Sequence, residues 1–227
     1  MFMIICSFNI KNNFFHHKDK TPEICNFIHK YHIDILCVQE YLFKDSFKFY
    51  LDKYKIYGTG RFRKKKHRFN ESNNIITNLD VSYANTKRLP WFFTTLPRIY
   101  TYARLKYKSS NITVINTHVD YLHTLSRKKQ LNELLSFVKN ESKENKIILM
   151  GDFNADICDK SLIKFINELD NLGINRVDIN DKTFKLLNKP IDHIFISKEF
   201  KINSYKVLID KNYDISDHYP LIVDIDI

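Results

Sequence analysis

A chain of 227 residues with 44% apolar and 14% aromatic side chains can bury one substantial core, which predicts a single domain over 1–227 and excludes a disordered chain. Its 36 Lys and Arg against 26 Asp and Glu leave a charge of +10, which points to polyanionic partners: nucleic acid or another phosphorylated substrate. No apolar run approaches the ~20 residues of a membrane helix, the N-terminus MFMIICSFNI lacks the basic region and cleavage site of a signal peptide, and four scattered cysteines form no CxxC, so an intracellular protein with reduced thiols and no zinc site is expected.

Runs rich in Ile, Val, Tyr and Phe predict strands at about 2–8, 33–38, 99–106, 111–117, 146–151, 191–196, 203–208 and 221–226. The first ends in CSFNI and leaves Asn9 at its end. A helix opens at Thr21-Pro22-Glu23, with Thr21 as its cap, and repeats Ile24, Phe27, Ile28 and Tyr31 at helical spacing. The second strand, IDILCVQEY, ends on Gln39 and Glu40.

The segment RFRKKKHR, residues 61–68, gathers Arg61, Arg63, Lys64, Lys65, Lys66 and Arg68. It is either a solvated loop or a phosphate-backbone clamp that binds by counterion release. Trp91-Phe92-Phe93 is core or a base-stacking surface, with core favoured. The strands near 99–106 and 111–117 read as neighbours in a hairpin, and the second, ITVINTHVDY, stops at Asn116, His118 and Asp120.

A second helix over about 125–140 aligns Leu131, Leu134, Leu135 and Val138. Arg127, Lys128 and Lys129 occupy its first turn, where acids suit the helix dipole better, so an anion is suggested there. The apolar run Ile147-Ile148-Leu149-Met150 then ends in Gly151, followed at once by Asp152, Asn154 and Asp156. A third helix runs from an Asp159 cap through Leu162, Ile163, Ile166 and Leu169 to a stop at Gly173. PIDHIFIS carries Asp192, and DISDHYPLIVDI carries Asp217 and His218 just before the last strand.

Strands apolar on both faces, mixed with helices and a hairpin, predict layered α/β architecture with a mixed sheet or two packed sheets. In such folds ligands bind where strand ends converge. Taken singly, an Asp after Gly is usually a turn or cap, and a His beside a strand is usually a satisfied structural residue. Together, two His, at least four carboxylates and two Asn at strand ends supply the parts of a metal-assisted phosphoryl-transfer site. Carboxylate and amide oxygens are hard ligands that suit Mg²⁺ or Mn²⁺ better than Zn²⁺. An Asp can take a proton from water, and a His can donate one to a leaving oxygen or hold phosphate as a cation.

In this order the motifs SFNI, DILCVQE, NESNNIIT, PRIYTYARL, INTHVDYLHTLSRKKQL, IILMGDFNAD, PIDHIFIS and SDHYPLIVDI resemble the endonuclease/exonuclease/phosphatase superfamily, the DNase I-like metal-dependent phosphoesterases. The resemblance covers nearly the whole chain. It implies a four-layer α/β/β/α sandwich of two packed mixed sheets, with the site at one end. It also implies that Glu40, with Asn9, holds a Mg²⁺ or Mn²⁺ ion, and that Asp217 is a further metal-site acid. Glu71 would support His118, Asp152 would activate water, Asn154 would bind phosphate, and Asp192 would orient His218. Lys11 departs from the family, where many members carry Asp or Arg, and Tyr41 stands where several nucleases carry Arg. The implied activity is a metal-dependent phosphodiester hydrolase, foremost a nuclease on DNA or RNA. The alternatives are a phosphomonoesterase or phospholipid/nucleotide phosphodiesterase on the same scaffold, and a non-catalytic nucleic-acid-binding protein.

Overall fold

The computed structural model describes residues 2–11, 19–41, 53–62, 71–90, 96–187, 189–209 and 215–227. Arg63, Lys64, Lys65, Lys66, Arg68 and Trp91-Phe92-Phe93 lie outside them. Among the described residues, no helix is long and apolar enough to cross a membrane.

The described residues form two six-stranded mixed sheets that pack face to face. In the first, the order is β11 (Lys201–Val207), β12 (Leu221–Asp226), β1 (Met3–Asn9), β2 (Ile35–Tyr41), β4 (Ser72–Thr77) and β3 (Lys55–Tyr57). In the second it is β5 (Val81–Arg88), β6 (Ile99–Tyr107), β7 (Ser110–His118), β8 (Lys146–Asp152), β10 (Asp192–Ser197) and β9 (Ile174–Arg176). Helix α1 (Thr21–Tyr31) covers the outer face of the first sheet, and α2 (Thr124–Glu141) and α3 (Lys160–Asp170) cover the second. This is the expected α/β/β/α sandwich.

The alternation of side chains explains why the central strands are apolar throughout. On β8, Ile148 and Met150 enter the core between the sheets, while Ile147 and Leu149 face the helices. On β1 and β2, Ile5 and Cys37 face the other sheet, while Cys6, Phe8, Leu36 and Val38 pack on the α1 side. Cys6, Cys25 and Cys37 are buried free thiols, and Cys158 is exposed.

Four strands escaped the sequence pattern. β4, SNNIIT, is wholly buried although four of its six residues are polar. Its side chains are satisfied by backbone: Ser72 Oγ donates to Tyr41 O (2.8 Å), Asn73 Nδ2 to Ile99 O (2.7 Å) and Asn74 Nδ2 to Tyr57 O (3.1 Å). β5 is an edge strand that is largely exposed, so nothing selects apolar residues there. β3 and β9 hold three residues each, too few to show a period.

The α1 cap also differs from expectation. Thr21 is the first helical residue, its amide bonds to Asp19 Oδ1 (3.0 Å), and its hydroxyl pairs with Tyr41 OH (2.7 Å). Asp159 does cap α3, accepting from Ser161 N (2.8 Å) and Leu162 N (3.2 Å). Arg127 is buried and structural rather than turned to an anion, since it donates to Asp120 O (3.1 Å) and Asp159 Oδ2 (2.7 Å).

Candidate active site

Each sheet has a parallel pair at its centre, β1 with β2 and β7 with β8. The C-terminal ends of these strands deliver Asn9, Glu40, His118 and Asp152 to one rim. β10 runs antiparallel to β8 with Asp192 opposite Asp152, so its first residue reaches the same rim. β12 runs antiparallel to β1, which brings the preceding Ser216-Asp217-His218 there as well. Ser216 Oγ fixes that segment by donating to Asn9 O (2.6 Å). Beneath the rim Asn116 ties the sheets together, accepting from Gln39 Nε2 (2.8 Å) and donating to Val38 O (2.9 Å) and Asn74 O (2.8 Å).

The result is a cleft of about 370 Å³, lined by Lys11, Glu40, Arg61, Glu71, Arg98, His118, Asp120, Tyr121, Asp152, Asn154, Phe184, Asp217 and His218 among others. Of the five non-glycine residues with positive φ among those described, three line it: Lys11 (+42°), Glu40 (+56°) and Asn154 (+47°). Backbone in this region is costly and collects at functional sites. For Glu40 the cause is local. The β2–β4 register shifts between Val38 and Tyr41, and this bulge turns Glu40 into the cleft.

Asp152 is the hub. Its Oδ2 accepts from Asn9 Nδ2 (2.9 Å) and lies 3.5 Å from His118 Nε2 and 3.8 Å from His218 Nε2. Its Oδ1 accepts from the Asn154 amide (2.8 Å), and Asn154 Nδ2 donates to Val119 O (3.1 Å). Burial, then the nearby Asp192 charge, push the Asp152 carboxyl up to about 7, against the opposing pull of His218 and the Asn9 and Asn154 donors.

The two histidines are in opposite states. Burial pushes His118 well below the usual histidine range, and the Arg98, Arg61 and His218 charges push it the same way. Arg98 NH1 lies 3.0 Å from His118 Nε2, so that nitrogen accepts and the ring proton is on Nδ1. Burial also opposes charge on His218, but the Asp192 carboxylate, 2.8 Å from Nδ1, outweighs it with help from Asp152 and Asp217 and raises the ring to about 10. Thr183 braces this pair: its Oγ1 accepts from Asp192 N (3.1 Å) and its carbonyl from Tyr219 N (2.7 Å). The Phe184 ring covers His218 at 4.8 Å.

A measurable consequence follows for the metal-free protein at pH 7. Imidazole ¹⁵N resonances are expected to show His118 neutral with its proton on Nδ1 and His218 as a cation; a neutral His218 would overturn the Asp192 assignment. The folded value of His218 lies above the ordinary value near 6.5. Its stabilisation is therefore complete below that pH and is lost as pH rises through about 10.

Among the described residues, two groupings have ligand chemistry for a cation. Asp152, Asp192 and His218 bring one atom each within 4.8 Å of one another, and Asp192 Oδ1 is buried without a hydrogen-bond partner. The proton on His218 works against an ion there, because an imidazolium has no lone pair to offer. Glu40 fits better. Its Oε1 and Asp152 Oδ2 converge on one amide group, Asn9 Nδ2, at 3.2 and 2.9 Å, which gathers hard oxygen ligands suited to Mg²⁺ or Mn²⁺. Asn9 presents its NH₂ to these carboxylates, while its Oδ1 accepts from Lys11 N (3.0 Å).

Two of the expected site acids are paired with basic side chains. Glu71 forms a buried ion pair with Arg61, and it is Arg98 that lies against His118. Asp217 Oδ2 pairs with Lys11 Nζ at 2.7 Å. Of the basic segment, Arg61 is therefore a buried wall residue of the cleft rather than part of an open cationic loop. Arg98, Tyr121 and Phe184 line the cleft without having been singled out in the sequence.

Solved structures share this architecture. A mannosyl-6-phosphatase from Bacteroides thetaiotaomicron aligns with a TM-score of 0.83 at 22% identity, over 99% of this chain and 100% of that one. An endonuclease/exonuclease/phosphatase family protein from the same species aligns at 0.83 and 21%, over 100% and 99%. D. rerio TDP2 complexed with a single-strand DNA product aligns at 0.75 and 16%, over 100% and 99%. Likeness at these identities shows the fold. No curated protein matches the sequence. Residues 6–218 match the Endonuclease/Exonuclease/phosphatase family, and with the site at the shared end of two packed sheets, the chain belongs to that family.

Proposed function

We propose that the chain is a Mg²⁺- or Mn²⁺-dependent phosphodiester hydrolase whose substrate is a polynucleotide. The observation that carries this reading is the Asp152 carboxylate, buried at the floor of the cleft between a neutral His118 and a cationic His218. A carboxylate raised towards neutrality is suited to take a proton from water at physiological pH. Glu40, with Asn9 beside it, would hold the ion, which supplies neutralisation of charge on the phosphate.

The remaining groups fit around that core. Arg98 and the His218 imidazolium face the same cleft as fixed positive charge for the phosphate oxygens. His218 also carries the proton that a leaving oxygen needs. Asn154 is held beside Asp152 as a further polar contact. The net charge of +10 favours a polyanion over a small neutral ester, and structural likeness to a DNA-bound neighbour agrees with it. A phosphomonoester is the second reading, favoured by Arg98 and His218 lining one cleft of about 370 Å³, which suits a terminal phosphate dianion.

The test is hydrolysis by pure protein with Mg²⁺, Mn²⁺ or EDTA on single- and double-stranded DNA, RNA and a set of phosphomonoesters. Cleavage of polynucleotide is expected, abolished by EDTA, and reduced about 10²–10⁴-fold in Glu40→Gln. Turnover of monoesters alone would replace the nuclease reading with the phosphatase one. EDTA-resistant turnover would remove the metal from it.

A further inference from the structure

We propose that Lys11 is the resident cation of Asp217, so that the site takes one divalent ion, at Glu40, and none at Asp217. The proposal rests on the reading of Glu40 as the ion's ligand.

Lys11 stands two residues beyond Asn9, at the end of β1. Its amide bonds to Asn9 Oδ1 (3.0 Å), and its φ of +42° is a conformation that non-glycine residues seldom adopt. From there Nζ reaches Asp217 Oδ2 at 2.7 Å, inside the cleft. The carboxylate that would draw a second ion is already neutralised by a side chain.

Lys20 fixes this pairing. Its ammonium donates to the carbonyl oxygens of Ile10 and Lys11 and to that of Ile215 (2.7 Å). Three acceptors use all three protons of an ammonium, so Lys20 is charged in this arrangement. It clamps the turn that carries Lys11 to the segment that leads into Asp217. A dication at Asp217 would meet the Lys11 ammonium at contact distance with the Lys20 charge held close behind it. Glu40 also feels the Lys20, Arg61 and Arg98 charges, and its Oε1 meets the Asn9 amide at 3.2 Å and the His118 ring at 4.0 Å.

Counting bound Mn²⁺ tests this without reference to turnover. Mn²⁺ is titrated into pure protein and the free ion is read by electron paramagnetic resonance, with circular dichroism to confirm that each variant is folded. The wild-type protein is expected to bind one ion, and Lys11→Met to bind a second, more weakly. Lys11→Gln, which keeps a polar contact but no charge, should gain the same second ion. The double variant Lys11→Met/Asp217→Asn should return to one, and Glu40→Gln should lose the first. Two ions in the wild-type protein, falling to one in Asp217→Asn, would overturn the proposal, as would a Lys11→Met protein that binds no more than the wild type. If Glu40→Gln leaves the first ion in place while Lys11→Met still gains an Asp217-dependent one, the Glu40 reading falls and the role of Lys11 stands.

Discussion

Asp152→Asn is expected to lower hydrolysis by about 10²–10⁴-fold while leaving the protein folded. Both oxygens of the native carboxylate are engaged, Oδ2 with Asn9 Nδ2 at 2.9 Å and Oδ1 with the Asn154 amide at 2.8 Å. A carboxamide keeps one of these and turns its NH₂ against a donor at the other, which costs about 1–3 kcal/mol. Part of that is offset. The charge on Asp152 is itself unfavourable in a buried site next to Asp192, as its upward shift to about 7 shows, and the neutral replacement removes it. Chemistry has no such compensation, because an amide cannot accept a proton from water. Turnover at saturating substrate and the urea midpoint separate the two effects. A variant with near-native turnover would sink the role assigned to Asp152, and one that fails to fold would show that the carboxylate is mainly a strut for Asn9 and Asn154.

The parts of the site that were legible in the sequence are those where a local signal and a topological one coincide. Asn9, Glu40, His118 and Asp152 each end an apolar run, and these runs form the parallel centres of the sheets, so their C-terminal ends share a rim. Arg98 shows where that rule stops. It stands at the start of β6, which runs antiparallel to β7 with Tyr100 opposite Thr117, so the start of one strand meets the end of the other. Looking only at strand ends passes over it. Glu71 shows a different limit. Its partner depends on where Arg61 falls, and nothing in NESNN announces that the residue after Gly60 will turn inward to meet it. Lys20 was invisible for the same reason, since its three acceptors come from two segments far apart in the chain. β4 was missed because its buried polar side chains are satisfied by backbone, a pairing that only the tertiary fold supplies.

The glycine in GDFN accounts for the largest stability effect expected of a single methyl group. Gly151→Ala should destabilise the fold by about 3–5 kcal/mol. The φ of Gly151 is +153°, a region open to glycine and strained for alanine. An added Cβ would lie 2.0 Å from Thr117 O and 2.9 Å from Thr117 C. Those atoms are backbone of the neighbouring central strand, so no rotamer change relieves the clash, and β7 and β8 must separate. They would separate one residue below the site, because the register pairs Thr117 with Gly151 and His118 with Asp152. The bond from Val119 N to Asp152 O (3.0 Å) and the 3.5 Å approach of His118 Nε2 to Asp152 Oδ2 both depend on that spacing. Gly173→Ala is the matched control. Its φ of +70° also disfavours alanine, but the added Cβ meets only the Lys198 side chain, at 3.2 Å, which can swing away. That change should cost about 1–2 kcal/mol. Urea unfolding of the two variants side by side decides the matter. Equal losses would mean that the backbone angle alone is responsible, whereas a much larger loss for Gly151→Ala, with turnover reduced even where the protein remains folded, would show that the glycine is there to let two strands approach closely enough to set His118 against Asp152.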